Sequence, residues 1–193
     1  MKAIIIIITS CFTLYLSAQK VELDRYEKDG RRQIMTTTKT VSMNNHQYNF
    51  GMKAFQGITE TDWLLLVTSY STIADNTILL IKLGNDDIIN LPVNNIKVSD
   101  HQTNSYIINY GSISTVTPSI TIHYYSSVFV LSQYDMDRID QYGISKIRIS
   151  AENSFREKTF SKNQLGKFLT KSRKLIRDAY LVNSTKQNIY DNF

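Results

Sequence analysis

The chain has 193 residues, a formal charge of +5, 42% hydrophobic and 20% charged residues, one cysteine, two prolines and seven glycines. That apolar content excludes a disordered tail, the low Gly and Pro exclude collagen-like and low-complexity chains, and one cysteine excludes a framework of several disulfides. The length allows one core of ordinary size.

Residues 1–18 read as a secretory signal. Lys2 is the basic start, Ile4 to Ile8 with Cys11, Phe12, Leu14 and Leu16 form a short apolar middle, and Ser17 and Ala18 close it. The expected cut lies between Ala18 and Gln19, so the mature protein is expected to be exported to the periplasm, the cell surface or the medium. The apolar middle is shorter than the roughly 20 residues of a membrane span. Ile8-Thr9-Ser10-Cys11 has the form of a bacterial lipobox. The apolar run ahead of it is short and the residues after it are still apolar, so Cys11 is read as part of the signal and not as a lipid anchor. The mature chain then has no disulfide, no thiol chemistry and no cysteine metal site.

From Gln33 to Phe50, Thr, Val, Ile and Tyr with partial alternation predict one or two strands. Asp62 to Ser71 holds a short apolar run, Trp63 to Val67, that suits a buried strand. Residues 77–92 predict a hairpin around Gly84-Asn85-Asp86-Asp87, since Gly and Asn tolerate positive φ. Pro92, with no N–H to donate, is expected to end its second arm. Ser105 to Tyr110 and Ser119 to Tyr125 predict two more strands, the second with Ile120, Ile122 and Tyr124 on one face and His123 and Tyr125 on the other. Val128 to Leu131 continues apolar. The spacing of Ser132, Asp135, Met136, Ile139 and Tyr142 then predicts a helix, capped by Ser132 with Asp135 and stopped by Gly143. Residues 144–160 predict a second hairpin that turns at Ala151 to Ser154.

Ser161 followed by Gln164 reads as a capping box. Leu165, Phe168, Leu169, Ser172, Leu175, Ile176, Ala179 and Tyr180 repeat at helical spacing and predict an amphipathic helix over 162–182. Lys167, Lys171, Arg173, Lys174 and Arg177 fall off that stripe and form the candidate basic contact face. Residues 183–193 are expected to be a polar, fraying tail. The strand-then-hairpin pattern of 46–92 recurs loosely at 105–160, too weakly to establish a duplication.

The fold expected is mainly β, of the α+β class. It has antiparallel sheets, sandwich-like or as one curved sheet, a short helix near 133–142 and the C-terminal helix on the outside of the core. Residues 19–182 are expected to form a single domain.

Two segments carry a resemblance. Ile81-Lys82-Leu83 leads into the Gly84 turn, and Gly143-Ile144-Ser145-Lys146-Ile147-Arg148-Ile149 follows the short helix. Together with the signal ending Leu16-Ser17-Ala18-Gln19, they resemble uncharacterised secreted proteins of Bacteroidetes. The resemblance covers about half of the mature chain and implies export and a strand-rich fold, with no activity attached.

Catalytic and metal signatures are weak. His46, His101 and His123 are far apart, and none has the spacing of a metal motif. Asp135, Asp137 and Asp140 lack the glycine and terminal glutamate of a calcium loop and read as acids of a helix start. Asp86 and Asp87 read as turn residues rather than a convergent carboxylate pair. There is no nucleophile elbow and no phosphate loop. Asn183-Ser184-Thr185 matches a glycosylation sequon by a pattern common by chance.

Tyr106, Tyr110, Tyr124 and Tyr125 are the candidate ligand-binding aromatics, since tyrosine joins a large contact area to a polar tip. The expected function is therefore an exported, non-enzymatic binding or interaction module. Its partner would be an envelope protein, peptide or glycan, with no nucleic acid and no cofactor. The alternatives are an envelope-associated carrier touching lipid through the basic helix and an unrecognised hydrolase. A histidine bonded to a serine would favour the hydrolase, a closed apolar cavity the carrier, and an exposed tyrosine patch the binding module.

The charge is concentrated. Residues 161–182 hold six basic groups against Asp178, whereas 19–160 hold fourteen basic and fifteen acidic groups. The basic character belongs to the last helix, and the β body is close to neutral.

Overall fold

In a computed structural model, residues 19–56, 61–102, 106–110, 113–117, 119–151 and 154–190 are described, with backbone alone at His101, 106–110, 113–117 and 183–190. The signal residues, including Cys11 and Ala18, lie outside the described residues.

Twelve strands and two helices follow one another among the described residues. They are β1 (Val21–Tyr26), β2 (Arg32–Thr36), β3 (Lys39–Met43), β4 (His46–Gln56), β5 (Thr61–Ser69), β6 (Ile78–Leu83), β7 (Ile88–Gln102), β8 (Tyr106–Tyr110), β9 (Ile113–Thr117), β10 (Thr121–Leu131), α1 (Gln133–Tyr142), β11 (Ile144–Ala151), β12 (Ser154–Thr159) and α2 (Gln164–Tyr190). Ten strands form one open antiparallel sheet, in the order β1-β2-β4-β5-β10-β7-β6-β11-β12 with β3 paired to β4, while β8 and β9 pair only with each other. The expected α+β class, mainly antiparallel, is what the chain adopts.

β7 makes this a single sheet. Its residues 88–92 pair with β6 and its residues 93–102 pair with β10. Pro92 sits at the exchange of partners, opposite Ile78, and the next amide, Val93 N–H, donates to Thr77 O. The expected end of the arm at Pro92 is therefore corrected. A missing N–H interrupts a ladder only where that N–H was needed, and here the strand changes neighbour at that residue and runs on to Gln102.

Further elements and boundaries differ from expectation. β1 and β9 had no sequence signal of their own, and β4 runs past Phe50 through Gly51 to Gln56. At the other end, α2 begins at Gln164 rather than 162, with Ser161 outside it and Lys167 N–H bonded to Asn163 O. Asn163 therefore occupies the cap position, and its side chain accepts instead from Ile144 N–H at 2.9 Å. α2 also continues through Tyr190, past the expected fraying point at 183.

The core is built by alternation. Trp63, Leu65 and Val67 of β5 point inward, as do Leu79, Ile81 and Leu83 of β6 and Ile144, Ile147 and Ile149 of the neighbouring β11. β6 and β11 are direct neighbours, with Ile81 opposite Ile147 and Lys82 opposite Lys146. The expected apolar stripe of α2 is the buried one, with Leu165, Leu169, Ser172, Ile176 and Tyr180 enclosed. The helix touches β2 and β4 in one half of the sheet and β11 in the other, so it joins both halves. Gln19 ties the expected mature terminus to it, donating to Phe168 O at 2.8 Å.

Candidate functional site

The two halves of the sheet approach each other again at the turn between β3 and β4. Asn44 and Asn45 there hold positive φ of 46° and 64°, a conformation asparagine tolerates better than most residues. The β3–β4 turn faces the β11–β12 hairpin, and Glu157 N–H of β12 contacts Asn44 Oδ1 at 3.5 Å.

An open cleft of about 700 Å³ lies between them. It is lined from one half by His46, Gln47 and Tyr48 of β4 and by Ser69 to Thr72 at the end of β5, and from the other by Ile149, Ala151, Ser154, Phe155 and Arg156. Glu152 and Asn153, between two of these residues, lie outside the described residues.

Three groups meet on the first wall. Ser71 Oγ and His46 Nδ1 are 2.7 Å apart. Ser69 Oγ donates to Gln47 O and accepts from Ser71 N–H, both at 2.9 Å, which fixes the strand end that presents Ser71. Burial raises the Tyr48 phenol above its ordinary value, partly offset by nearby Ser71 and by the Arg156 charge. The cleft floor therefore holds a hydroxyl, an imidazole, a neutral phenol and a guanidinium. Among the described residues no carboxylate contacts His46.

Aromatic rings stand at the rim. Tyr70 is 66% exposed and meets Tyr124 with ring centroids 5.1 Å apart at a 59° tilt. Tyr124 is held in turn by its hydroxyl, which donates to Thr68 Oγ1 at 2.7 Å. On the opposite rim Phe155 is half exposed, with the Arg148 guanidinium 4.5 Å from its ring centre.

Of the four candidate tyrosines, the side chains of Tyr124 and Tyr125 are described, and those of Tyr106 and Tyr110 lie outside the described residues. Tyr124 joins the rim through Tyr70, a residue outside the candidate set. Tyr125 lies on the other face of β10 and its ring is 6.5 Å from that of His123. Tyr106 and Tyr110 belong to β8, in the separate two-stranded sheet.

The basic face of α2 loses one member. Lys167, Lys171, Lys174 and Arg177 are exposed, as expected, but Arg173 is buried. The reason is α1, which packs beside α2 and presents Asp137 and Asp140 to it. Arg173 donates to both acids and lies 5.9 Å from the Trp63 ring centre. Arg177 instead borders a second cleft of about 560 Å³, with Trp63, Gln133 and Tyr180.

The His101 side chain lies outside the described residues, and other candidates have structural partners. Asp135 completes the α1 capping box with Ser132. Asp86 pairs with Lys82 and Asp87 with Arg138. His123 Nδ1 lies 2.7 Å from Asp100 Oδ1 on the next strand. No cluster of three metal-ligating side chains occurs among the described residues. Among them, too, no helix is long and apolar enough to cross a membrane.

No protein-family model, curated protein or solved structure matches this chain.

Proposed function

We propose that the protein is an exported, non-enzymatic binding module and that its ligand is a saccharide held in the cleft between β3–β4 and β11–β12. The observation that carries this reading is the composition of the cleft. Exposed rings stand at its rim, and hydroxyl, amide and imidazole groups line its wall. A sugar ring has apolar C–H faces and a hydroxyl edge. It needs a flat ring beneath it and polar groups around it. Tyr70, fixed against Tyr124, offers the first, while His46, Gln47, Ser71 and Thr72 offer the second.

The test is a titration of the purified protein with soluble oligosaccharides from bacterial envelope polysaccharide, followed by NMR. Shifts should gather at Tyr70, Ser71 and Phe155. Tyr70→Ala should weaken binding by about tenfold with little change in melting temperature, since the ring is exposed. Shifts that avoid the cleft, or full affinity in Tyr70→Ala, would count against this reading.

A second reading, an ester hydrolase, has one observation in its favour, the bond between Ser71 and His46. His46 would take the Ser71 proton as the hydroxyl attacks a carbonyl, and such a base ordinarily has a third group to orient it. p-Nitrophenyl acetate turnover that disappears in Ser71→Ala would favour the hydrolase. Turnover equal in both proteins would remove it.

A further inference from the structure

We propose that the cleft selects an acidic saccharide and that Arg156 is the residue that takes its carboxylate. The inference rests on the saccharide reading of the same site and narrows it to a ligand class.

Arg156 and Arg177 are the arginines without a carboxylate partner among the described residues, and of the two Arg177 is exposed whereas Arg156 is part-buried. Arg25, Arg31, Arg32, Arg138, Arg148 and Arg173 each pair with an aspartate or glutamate. Among the described residues Arg156 has no such partner. Its hydrogen bond is to a neutral acceptor, Nη1 to Phe155 O at 3.2 Å. Its Nε–H is buried without any acceptor. A guanidinium has five donors in a planar fork and stays charged at every physiological pH. Leaving its Nε–H buried without an acceptor is costly unless one arrives.

The surroundings favour an anion as that acceptor. Arg156 lines the cleft beside Tyr48, His46 and Ser71, and none of the described lining residues is acidic. The adjacent acid that could have neutralised it is otherwise engaged. Glu157, next in sequence, is held by Lys146 at 2.8 Å and Arg148 at 2.7 Å, and alternation sends it to the opposite face of β12. A carboxylate entering between the rims meets one arginine fork with hydroxyl donors beside it, the arrangement that gives short, charge-assisted and often bidentate bonds. A sugar acid brings that carboxylate on a ring that Tyr70 can support.

The test is a comparison of three probes on the purified protein by NMR titration: trigalacturonate, the neutral trisaccharide maltotriose, and trialanine with a free C-terminal carboxylate. Trigalacturonate should bind at least about tenfold more tightly than maltotriose. Arg156→Gln should abolish that preference, lowering trigalacturonate affinity far more than maltotriose affinity. Arg156→Lys, which keeps the charge but loses the fork, should retain part of it. Melting curves of both variants establish that they fold.

Equal affinity for the two trisaccharides, or a preference that survives Arg156→Gln, overturns the acidic ligand and leaves the saccharide reading standing. Arg156-dependent binding of trialanine without trigalacturonate upholds the carboxylate site and overturns the saccharide. Binding of none of the three overturns both.

Discussion

Arg173 of α2 donates from Nη2 to Asp137 Oδ1 of α1 at 2.7 Å, across the contact between the two helices. Its Nη1 reaches Asp140 of the same helix, and Asp140 also accepts from Thr170 at 2.7 Å. Acids three residues apart share a helix face, which is why Asp137 and Asp140 can grip one guanidinium. Acids whose spacing first suggests an ion site thus fasten α1 to α2. The arginine is 4% exposed, while Asp137 stays in solvent. The buried partner therefore carries most of the dependence on the pair.

Arg173→Ala should destabilise the protein by about 2–3 kcal/mol, through the lost stem packing against Trp63 and the lost pairing. Arg173→Met keeps the stem and leaves acids that water can reach, so it should cost about 1 kcal/mol. Urea denaturation measures both. Equal losses in the two variants would show that the charge outweighs the packing.

The stripe of α2 was legible because its period is local, and Leu165, Leu169, Ile176 and Tyr180 are buried as that period requires. Arg173 was not legible, because a helical wheel shows which side meets the sheet and cannot show a second helix lying along the flank. The α1 capping box was also readable, since Ser132 and Asp135 act within one turn. β1 was hidden for the opposite reason: its Val-Glu-Leu-Asp-Arg-Tyr sequence is mostly exposed, and it is held by pairing with β2 and by the Asp24–Arg32 bridge at 2.6 Å. The cleft was the least legible feature. His46 and Ser71 lie 25 residues apart and meet Arg156 only because the sheet brings its ends together. Tyr124 alone pointed toward it.

Asn163 should prove sensitive for its size. Its Oδ1 serves Ile144 N–H, and two glycines make room for it. A Cβ at Gly143 would come within 2.3 Å of Asn163 Nδ2, and one at Gly166 within 2.0 Å of Oδ1. Gly143 also has φ of 70° and ψ of −178°, a region open essentially to glycine alone. Asn163→Ala should cost about 1–2 kcal/mol by orphaning the Ile144 amide. Gly166→Ala should cost a similar amount in the parent, about 1–2 kcal/mol, and clearly less in an Asn163→Ala background, because the clash partner is gone. A double-mutant cycle reads the difference, and strictly additive losses would refute the shared space.

Acid should loosen the fold through specific carboxylates. The hydrogen bond from Arg173 holds Asp137 below its ordinary 3.8, and Lys146 and Arg148 hold Glu157 below its ordinary 4.5. A depressed folded-state value means the contribution is complete above the unfolded value and disappears as pH falls through the folded one. Melting temperature should therefore be flat with respect to these two groups down to about pH 5, then decline. Asp137→Asn and Glu157→Gln should each flatten part of that decline. An acid slope unchanged in both variants would place its origin elsewhere.

Alkali should act through Tyr180. Its ring is buried beneath the Arg32 guanidinium, 5.3 Å away, and its hydroxyl donates to Arg32 O at 3.3 Å. Burial pushes its ionisation from 10 up to about 12, against the pull of the Arg32 charge. For a group raised on folding, the contribution is whole below the unfolded value and is lost as pH climbs through the folded one. Stability should accordingly fall between pH 10 and about 12, as the unfolded chain ionises at this position before the folded one does. Tyr180→Phe should lower stability at neutral pH by about 1 kcal/mol, for the lost hydrogen bond, and make the alkaline decline shallower. Some decline should persist, because burial also holds the Tyr48 phenol above its ordinary value. Denaturation curves across the alkaline range, set beside the tyrosinate absorbance of both proteins, measure this. Parallel declines in parent and Tyr180→Phe would mean that Tyr180 ionises as freely in the fold as outside it.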